Sequence, residues 1–202
     1  MHDLAAIILA AGQSSRFGAA NKLLAPLNGR PLLAHSLDTV CKLGLGQIIV
    51  VSGHDHEAIA QIAQPYAVRV QHNPAYKTGM GSSIACGATA LNPEVAGVFL
   101  CLGDMPYLTD TVFQAVVDQF TAHGNHGRKG SRAPGSIVRP VFEGRPGHPV
   151  LFPADVFPAL AGLTGELGAR DIIAAEQSRL LTINWPDHTV LADIDRPEDL
   201  PG

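Results

Sequence analysis

The sequence predicts an α/β fold on a mainly parallel sheet, and three observations carry that reading. Short apolar runs alternate with helical patterns through the first 120 residues, as in crossover units that return each strand parallel to the last. The runs are apolar throughout rather than at every second position, as strands covered on both faces must be. A chain of 202 residues, 46% apolar and 16% charged, can fill one core well but two only thinly, so one domain spanning 1–202 is expected.

Leu4 to Ala10 reads as the first buried strand. Pro31 suits a first helical turn, and the helix it opens, to Leu43, has Leu33, Leu37 and Val40 on one face. Gly46 to Gly53 reads as a second strand and its turn, followed by a helix near Asp55 to Gln64, a strand in Ala67 to Gln71, and a small-residue helix from about Ser82 to Leu91. In Val95 to Pro106 the segment Val98 to Gly103 reads as buried before an abrupt acidic turn. Thr109 or Asp110 can cap the next helix, in which Val112, Val116 and Phe120 share a face. Ala122 to Ser136, rich in Gly, Arg and His, is expected to be a flexible loop and not a domain boundary, because "IVRPVFEGRPGHPVLF" can return to the same sheet as a hairpin.

Composition narrows the function. A net charge of −4 argues against a broad surface for nucleic acid or anionic membrane, while leaving room for a local basic pocket. Cys41, Cys86 and Cys101 form no C-x-x-C or Cys/His cluster and read as reduced core residues of a cytoplasmic protein. The N-terminus has no basic leader region, and no segment approaches the roughly 20 apolar residues of a membrane span. His54 with His56, and His123 with His126, lack the partner pair that zinc needs and read as surface histidines.

The chemistry starts in "LAAGQSSRFGAANK". An apolar strand running into Ala10, Ala11 and Gly12 brings backbone N–H groups where an anion can approach closely, and Arg16 and Lys22 add two cations. The loop is neither a Walker A nor a G-x-G-x-x-G loop: five residues separate Gly12 from Gly18, and Leu23 follows the lysine. A nucleoside triphosphate is still the natural guest. The stretch resembles the L-A-[AG]-G-x-S-x-R-[MF]-G-x-x-K signature of nucleotidyltransferases related to the molybdenum-cofactor cytidylyl- and guanylyltransferases. That resemblance implies a Rossmann-like three-layer α/β/α nucleotide-diphospho-sugar transferase fold. It also implies nucleotide contacts from Leu9, Ala10, Ala11, Gly12, Ser14, Ser15, Arg16 and Lys22.

Later segments match in order. "CLGDMPYLT" delivers Asp104 at the carboxyl end of a buried strand, where open α/β sheets collect ligands. It resembles the family's G-D-[MQ]-P motif, whose aspartate holds Mg²⁺, with Mn²⁺ as a substitute; a turn-capping carboxylate is the alternative. "LADIDRPEDL" resembles the family's D-[IV]-[DN]-T-P-E-D-[LY] tail, with Arg196 in place of threonine. By position Asp195 is the second metal ligand and Asp193 stands in reserve, while a capping box from Asp195 to Glu198 is the competing reading. Two carboxylates from distant segments suit a largely hydrated, oxygen-ligated Mg²⁺.

In "NPAYKTGMGSSIACG" the resemblance makes Gly79, Gly81, Ser82 and Ser83 the base-side candidates; a serine N-cap is the plain alternative. "GRPGHPVLF" and "TGELGARDII" resemble acceptor-facing segments and nominate His148 and Arg170, although Glu166 stands where the family has aspartate. A turn histidine and a salt-bridged arginine remain open. Taken together, the resemblance implies transfer of CMP from CTP to the terminal phosphate of molybdopterin with release of pyrophosphate, through Arg16, Lys22 and Asp104, and a transient contact with a molybdenum hydroxylase. Ala10-Ala11-Gly12 is the form typical of CTP-using members. The rivals are a same-fold enzyme that uses GTP or a sugar phosphate, and a non-catalytic carrier of the cofactor.

Overall fold

The computed structural model describes residues 1–18, 20–122, 134–166 and 168–200. Its main sheet has seven principal strands: β1 Leu4–Ala10, β2 Gln47–Ser52, β3 Arg69–His72, β4 Gly97–Leu102, β5 Ile137–Phe142, β6 Val150–Pro153 and β7 Leu180–Asn184. Their order across the sheet is β7-β5-β6-β4-β1-β2-β3. Strands β4, β1, β2 and β3 are mutually parallel, β6 runs antiparallel to both β4 and β5, and β7 is parallel to β5. The mixed, mostly parallel sheet is the expected α/β class. The hairpin reading of 137–152 also holds, with one refinement: β6 inserts between β5 and β4 instead of extending the sheet outward, so the segment after it lies against the central strands.

Among the described residues, six α-helices cover the two faces: α1 Leu32–Cys41, α2 His56–Ala63, α3 Met80–Thr89, α4 Asp110–Ala122, α5 Phe157–Ala161 and α6 Arg170–Ala175. The alternation of strand side chains sorts them. Leu4, Ala6 and Ile8 of β1 pack with Leu33 and Leu37 of α1, Ile59 of α2 and Val112, Val116 and Phe120 of α4. Ala5 and Ile7 pack on the opposite face with Ile84 of α3, Leu160 of α5 and Ile173 of α6. Both faces of β1 are therefore dry, which is why its sequence is a continuous apolar run. Helix α3 lies close to the sheet through Gly87, where an added Cβ would meet Ile7 Cγ2 at 2.7 Å and Val51 Cγ2 at 3.0 Å.

Three expectations need correction. Helix α3 begins at Met80, not Ser82, and its N-cap is Gly79, with no capping side chain. Only Cys101 belongs to the core; Cys41 and Cys86 are half-buried, and all three are free thiols. The tail carries a short 3-10 turn, Pro197–Asp199, in which Asp199 and not Glu198 accepts the N–H groups of Asp195 and Arg196, at 2.9 and 2.8 Å. Most of the expected flexible loop, 123–133 with His123 and His126, lies outside the described residues. Among the described residues no helix is long and apolar enough to cross a membrane.

Candidate functional site

The chain leaves β1 toward β2 on one side and reaches β4 on the other, so the carboxyl ends of β1 and β4 flank the point where strand order reverses. Crevices at such points receive ligands in open α/β sheets. Two loops meet there. From β1, residues 11–21 turn through Ser14, which has positive φ, and through Gly18. The Ser14 hydroxyl donates to Asn21 Oδ1 at 3.3 Å and accepts the Lys22 N–H at 3.1 Å. Buried Asn21 in turn caps the 3-10 turn Lys22–Leu24 through the Leu23 N–H, at 3.0 Å. These bonds set the direction in which Lys22 leaves the backbone.

From β4, Gly103 and Asp104 form the second loop. The Gly103 N–H donates to the Leu9 carbonyl at 3.0 Å, and buried Ser36 of α1 donates to the Gly103 carbonyl at 3.0 Å. Glycine allows this close approach: a Cβ would lie 3.0 Å from the Leu9 oxygen and 3.1 Å from Leu33 Cδ1, so any larger residue would have to push these neighbours aside. The tail then closes the site through the Ile194 N–H, which donates to the Asp104 carbonyl at 3.0 Å. Ile194 is buried in the core. Residues on either side of it therefore emerge on the opposite side, as alternate positions of extended chain do, and Asp193 and Asp195 arrive beside Asp104.

The result is a compact charge cluster. Lys22 Nζ lies 2.5 Å from Asp104 Oδ2 and 2.6 Å from Asp195 Oδ1, and Arg16 approaches Asp195 Oδ2 at 2.7 Å. Burial works against the Lys22 ammonium, but the two aspartates outweigh it and hold its pKa above the ordinary lysine value. The Lys22 hydrogen bond, then Arg16, holds Asp195 below the usual carboxylate range. Asp193 is pushed above the usual carboxylate range, first by burial and then by Asp104. Asp104, Asp193 and Asp195 each offer an oxygen within 4.8 Å of the others, and Asp104 Oδ1 is buried with no partner among the described residues. An all-oxygen set with one orphaned acceptor fits a hard divalent cation.

The other expected residues fall into three groups. Leu9, Ala10, Ala11, Gly12 and Ser15 lie on the same strand end and loop, and a Cβ on Gly12 would meet nothing within 4 Å, so the backbone there is open to a ligand. Ala11 is nearly buried, its methyl packed beside Gly53. At the start of α3, the Gly81 N–H donates to the Gly165 carbonyl at 2.9 Å, so the "GMG" turn and the "TGELG" loop pack together. Ser82 donates to the carbonyls of Gly79 and Ala75, and Ser83 is buried; the amide of Asn73 donates to both hydroxyls, at 2.9 and 3.0 Å. His148 is held by its N–H on the Val190 carbonyl at 2.9 Å, and Arg170 opens α6. Burial lowers the His148 pKa, with Arg170 and Arg139 adding to the effect while the Leu100 backbone and Asp193 oppose it. Asn21, Ser36, Asn73 and Asp199 were not singled out from sequence. Each acts by holding a neighbour's backbone or hydroxyl, and no spacing announces that.

A family model described as MobA-like NTP transferase domain matches residues 6–180. The chain is 29% identical over 197 residues to nicotine blue oxidoreductase of Paenarthrobacter nicotinovorans, covering 96% of this chain and 93% of the relative. A nucleotidyl transferase from Methanothermobacter thermautotroptrophicus superposes with TM-score 0.79 at 19% identity over 97% of this chain and 93% of that one. Rv0371C from Mycobacterium tuberculosis H37Rv, solved as a complex with manganese, superposes with TM-score 0.72 at 22% identity over 97% and 94%.

Proposed function

The chain belongs to the MobA-like NTP transferase domain family and is a nucleotidyltransferase domain, and from that premise we propose that it transfers CMP from CTP to the terminal phosphate of molybdopterin, releasing pyrophosphate. The observation that carries the reading is the meeting of Arg16 and Lys22 with Asp104, Asp193 and Asp195 at one end of the sheet. Phosphate loop and carboxylates serve one substrate: cations for the triphosphate, oxygen ligands for a divalent metal, Mg²⁺ or Mn²⁺.

An acceptor phosphate oxygen attacks the α-phosphorus, the new P–O bond forms as the α–β bond breaks, and pyrophosphate leaves with the electron pair. A phosphomonoester has a second pKa near 6, so the nucleophile is already largely dianionic and no general base is needed. The task of the protein is alignment and charge neutralisation. Arg16 and Lys22 contact the phosphates, the open backbone at Gly12 approaches them, and Gly79, Ser82 and Ser83 border the base. Asp104 and Asp195, with Asp193, would hold the metal, whose charge offsets that developing on the phosphate oxygens. His148 and Arg170 face the acceptor. CTP is preferred on the strength of Ala11 in the Ala-Ala-Gly turn. The oxidoreductase named among the relatives does not redirect this reading, because the loop lacks dinucleotide spacing and the charge cluster suits phosphoryl chemistry.

Pyrophosphate release with Mg²⁺ and molybdenum-loaded molybdopterin, compared across CTP, GTP, ATP and UTP with Asp104→Ala as control, tests this. Release with CTP, lost in the variant, supports it. A GTP preference moves the base assignment to the guanylyl branch. Tight cofactor binding without release from any nucleotide favours a carrier.

A further inference from the structure

Strand β5 carries an arginine that the reading above does not use. Arg139 sits between buried Ile137 and Val138 on one side and buried Pro140 on the other. Its guanidinium has no ion pair or hydrogen bond among the described residues, and Nε is fully buried without a partner. Burying Nε without a partner disfavours the charged form of Arg139, and an anion bound beside it would offset that cost. The chain supplies counter-ions to its other internal cations: Arg179 has Asp155 and Glu176, and Lys22 has Asp104 and Asp195.

Register shows where Arg139 faces. Val138 pairs with Leu151, and Val150 pairs with Leu100, so Arg139 stands level with Val150 on the sheet face that Ile137, Leu100 and Val150 share with α3, α5 and α6. His148 stands just before β6, its ring near the Leu100 carbonyl of β4 and within the electrostatic reach of Asp193, Arg170 and Arg139. Its Nδ1 is also buried and unpartnered among the described residues. Arg170, at the head of the helix covering this face, is exposed and unpaired among the described residues. The carboxylate acting on the His148 ring is Asp193, which makes no ion pair with either arginine among the described residues.

We propose that Arg139, with His148 and Arg170, forms a subsite for a phosphomonoester dianion beside Asp193, and that the phosphate it takes is the acceptor's. The assignment of Arg139 rests on the transferase reading only for the identity of that phosphate. The two guanidiniums supply forked donors that match the terminal oxygens of a monoester, and a proton taken up on the unpartnered His148 Nδ1 as the dianion binds would add a third donor beside the ring contact to Leu100. A planar fork from the strand and a second from the helix would orient the nucleophilic oxygen toward the metal cluster.

The test uses Arg139→Met and Arg139→Lys in the full chain, with inorganic phosphate as probe. In phosphate-free buffer Arg139→Met is expected to melt higher than wild type, because an unpaired buried charge is gone, and to lose the stabilisation that phosphate gives wild type. Its phosphate affinity should fall about ten-fold or more, with Arg139→Lys between the two. In pyrophosphate-release kinetics, KM for the acceptor should rise about ten-fold with KM for CTP within about two-fold of wild type. An unchanged phosphate affinity, or a lower melting temperature with the phosphate response intact, would overturn the subsite. A rise in the KM for CTP instead of the acceptor's would assign it to nucleotide phosphates and overturn the acceptor assignment. If no nucleotide supports release, the transferase reading fails on its own while the phosphate titration still decides the subsite.

Discussion

Lys22 Nζ and Asp104 Oδ2 are 2.5 Å apart, and both side chains are only 15% exposed. The same ammonium also holds Asp195, so it occupies the neighbourhood that a divalent cation would share with these carboxylates. On the proposed reading, lysine and metal would be rivals until nucleotide phosphates gave Lys22 another anion. Lys22→Met should bind Mn²⁺ about ten-fold or more tightly in the absence of nucleotide and bind CTP more weakly. Electron paramagnetic resonance of free Mn²⁺ during titration measures the first; equal or weaker Mn²⁺ binding would show that the two do not compete.

Asp104→Asn removes the anion and keeps the backbone. The carbonyl that receives Ile194 and the Gly103 bonds remain, so the melting temperature should stay within a few degrees. Turnover should drop about a hundred- to a thousand-fold. A variant within about three-fold of wild type would remove Asp104 from the proposed site.

Stability should carry a pH signature at Asp38, which bridges Arg30 at 2.6 and 3.2 Å and accepts from Tyr66 at 2.8 Å. The Arg30 hydrogen bonds hold its carboxyl below the usual range, with burial opposing and Tyr66 assisting. A carboxylate whose folded pKa is depressed contributes stability that is complete above its unfolded value, about 3.9, and is lost as pH falls through the folded value. The melting difference between wild type and Asp38→Asn should therefore be flat from about pH 5 to 8 and shrink below about pH 4. A difference that persists undiminished at about pH 2 would contradict the linkage.

Two glycines that face each other should respond differently to alanine. Gly79 has φ +124 and ψ 173, a glycine-only region, and a Cβ there would lie 2.3 Å from the Gly165 backbone. Gly165 has φ +64 with open space around it. Gly79→Ala should lose more than about 2 kcal/mol and Gly165→Ala about 1 kcal/mol. Chemical denaturation orders them, and equal losses would contradict the contact.

Much of the fold was legible because a strand buried on both faces has to be apolar throughout, as Leu4–Ala10, Gln47–Ser52 and Gly97–Leu102 nearly are. The sheet order was not, because nothing in "GHPVLF" says which neighbours Val150–Pro153 will choose. Among the proposed site residues, Arg16, Lys22 and Asp104 stand out because charged residues interrupt glycine-rich or apolar runs, whereas Asp195 is nominated only by the resemblance of the tail to the family's motif. Asp193, held in reserve as a ligand, lies with Asp104 and Asp195 in the 4.8 Å cluster, which does not rank the two tail aspartates. Asp199 displaced Glu198 as the capping acid because the tail makes a 3-10 turn rather than a helix, and Arg139 was hidden in a strand whose face only the register reveals.

The links from Arg16 and Lys22 to Asp195 span 179 and 173 positions. Contacts between such distant positions form late, because the intervening chain must first be ordered. On the ribosome, the phosphate loop and β1 emerge long before the tail that carries Ile194, so an unfinished chain displays its cations without the aspartates that flank that isoleucine. Docking of one buried isoleucine then delivers two acids to the third at once. The acid cluster is thus completed in a single late step of biogenesis, and a protease that cut between β7 and Ile194 would detach two of its three members while leaving the strands of the sheet uncut.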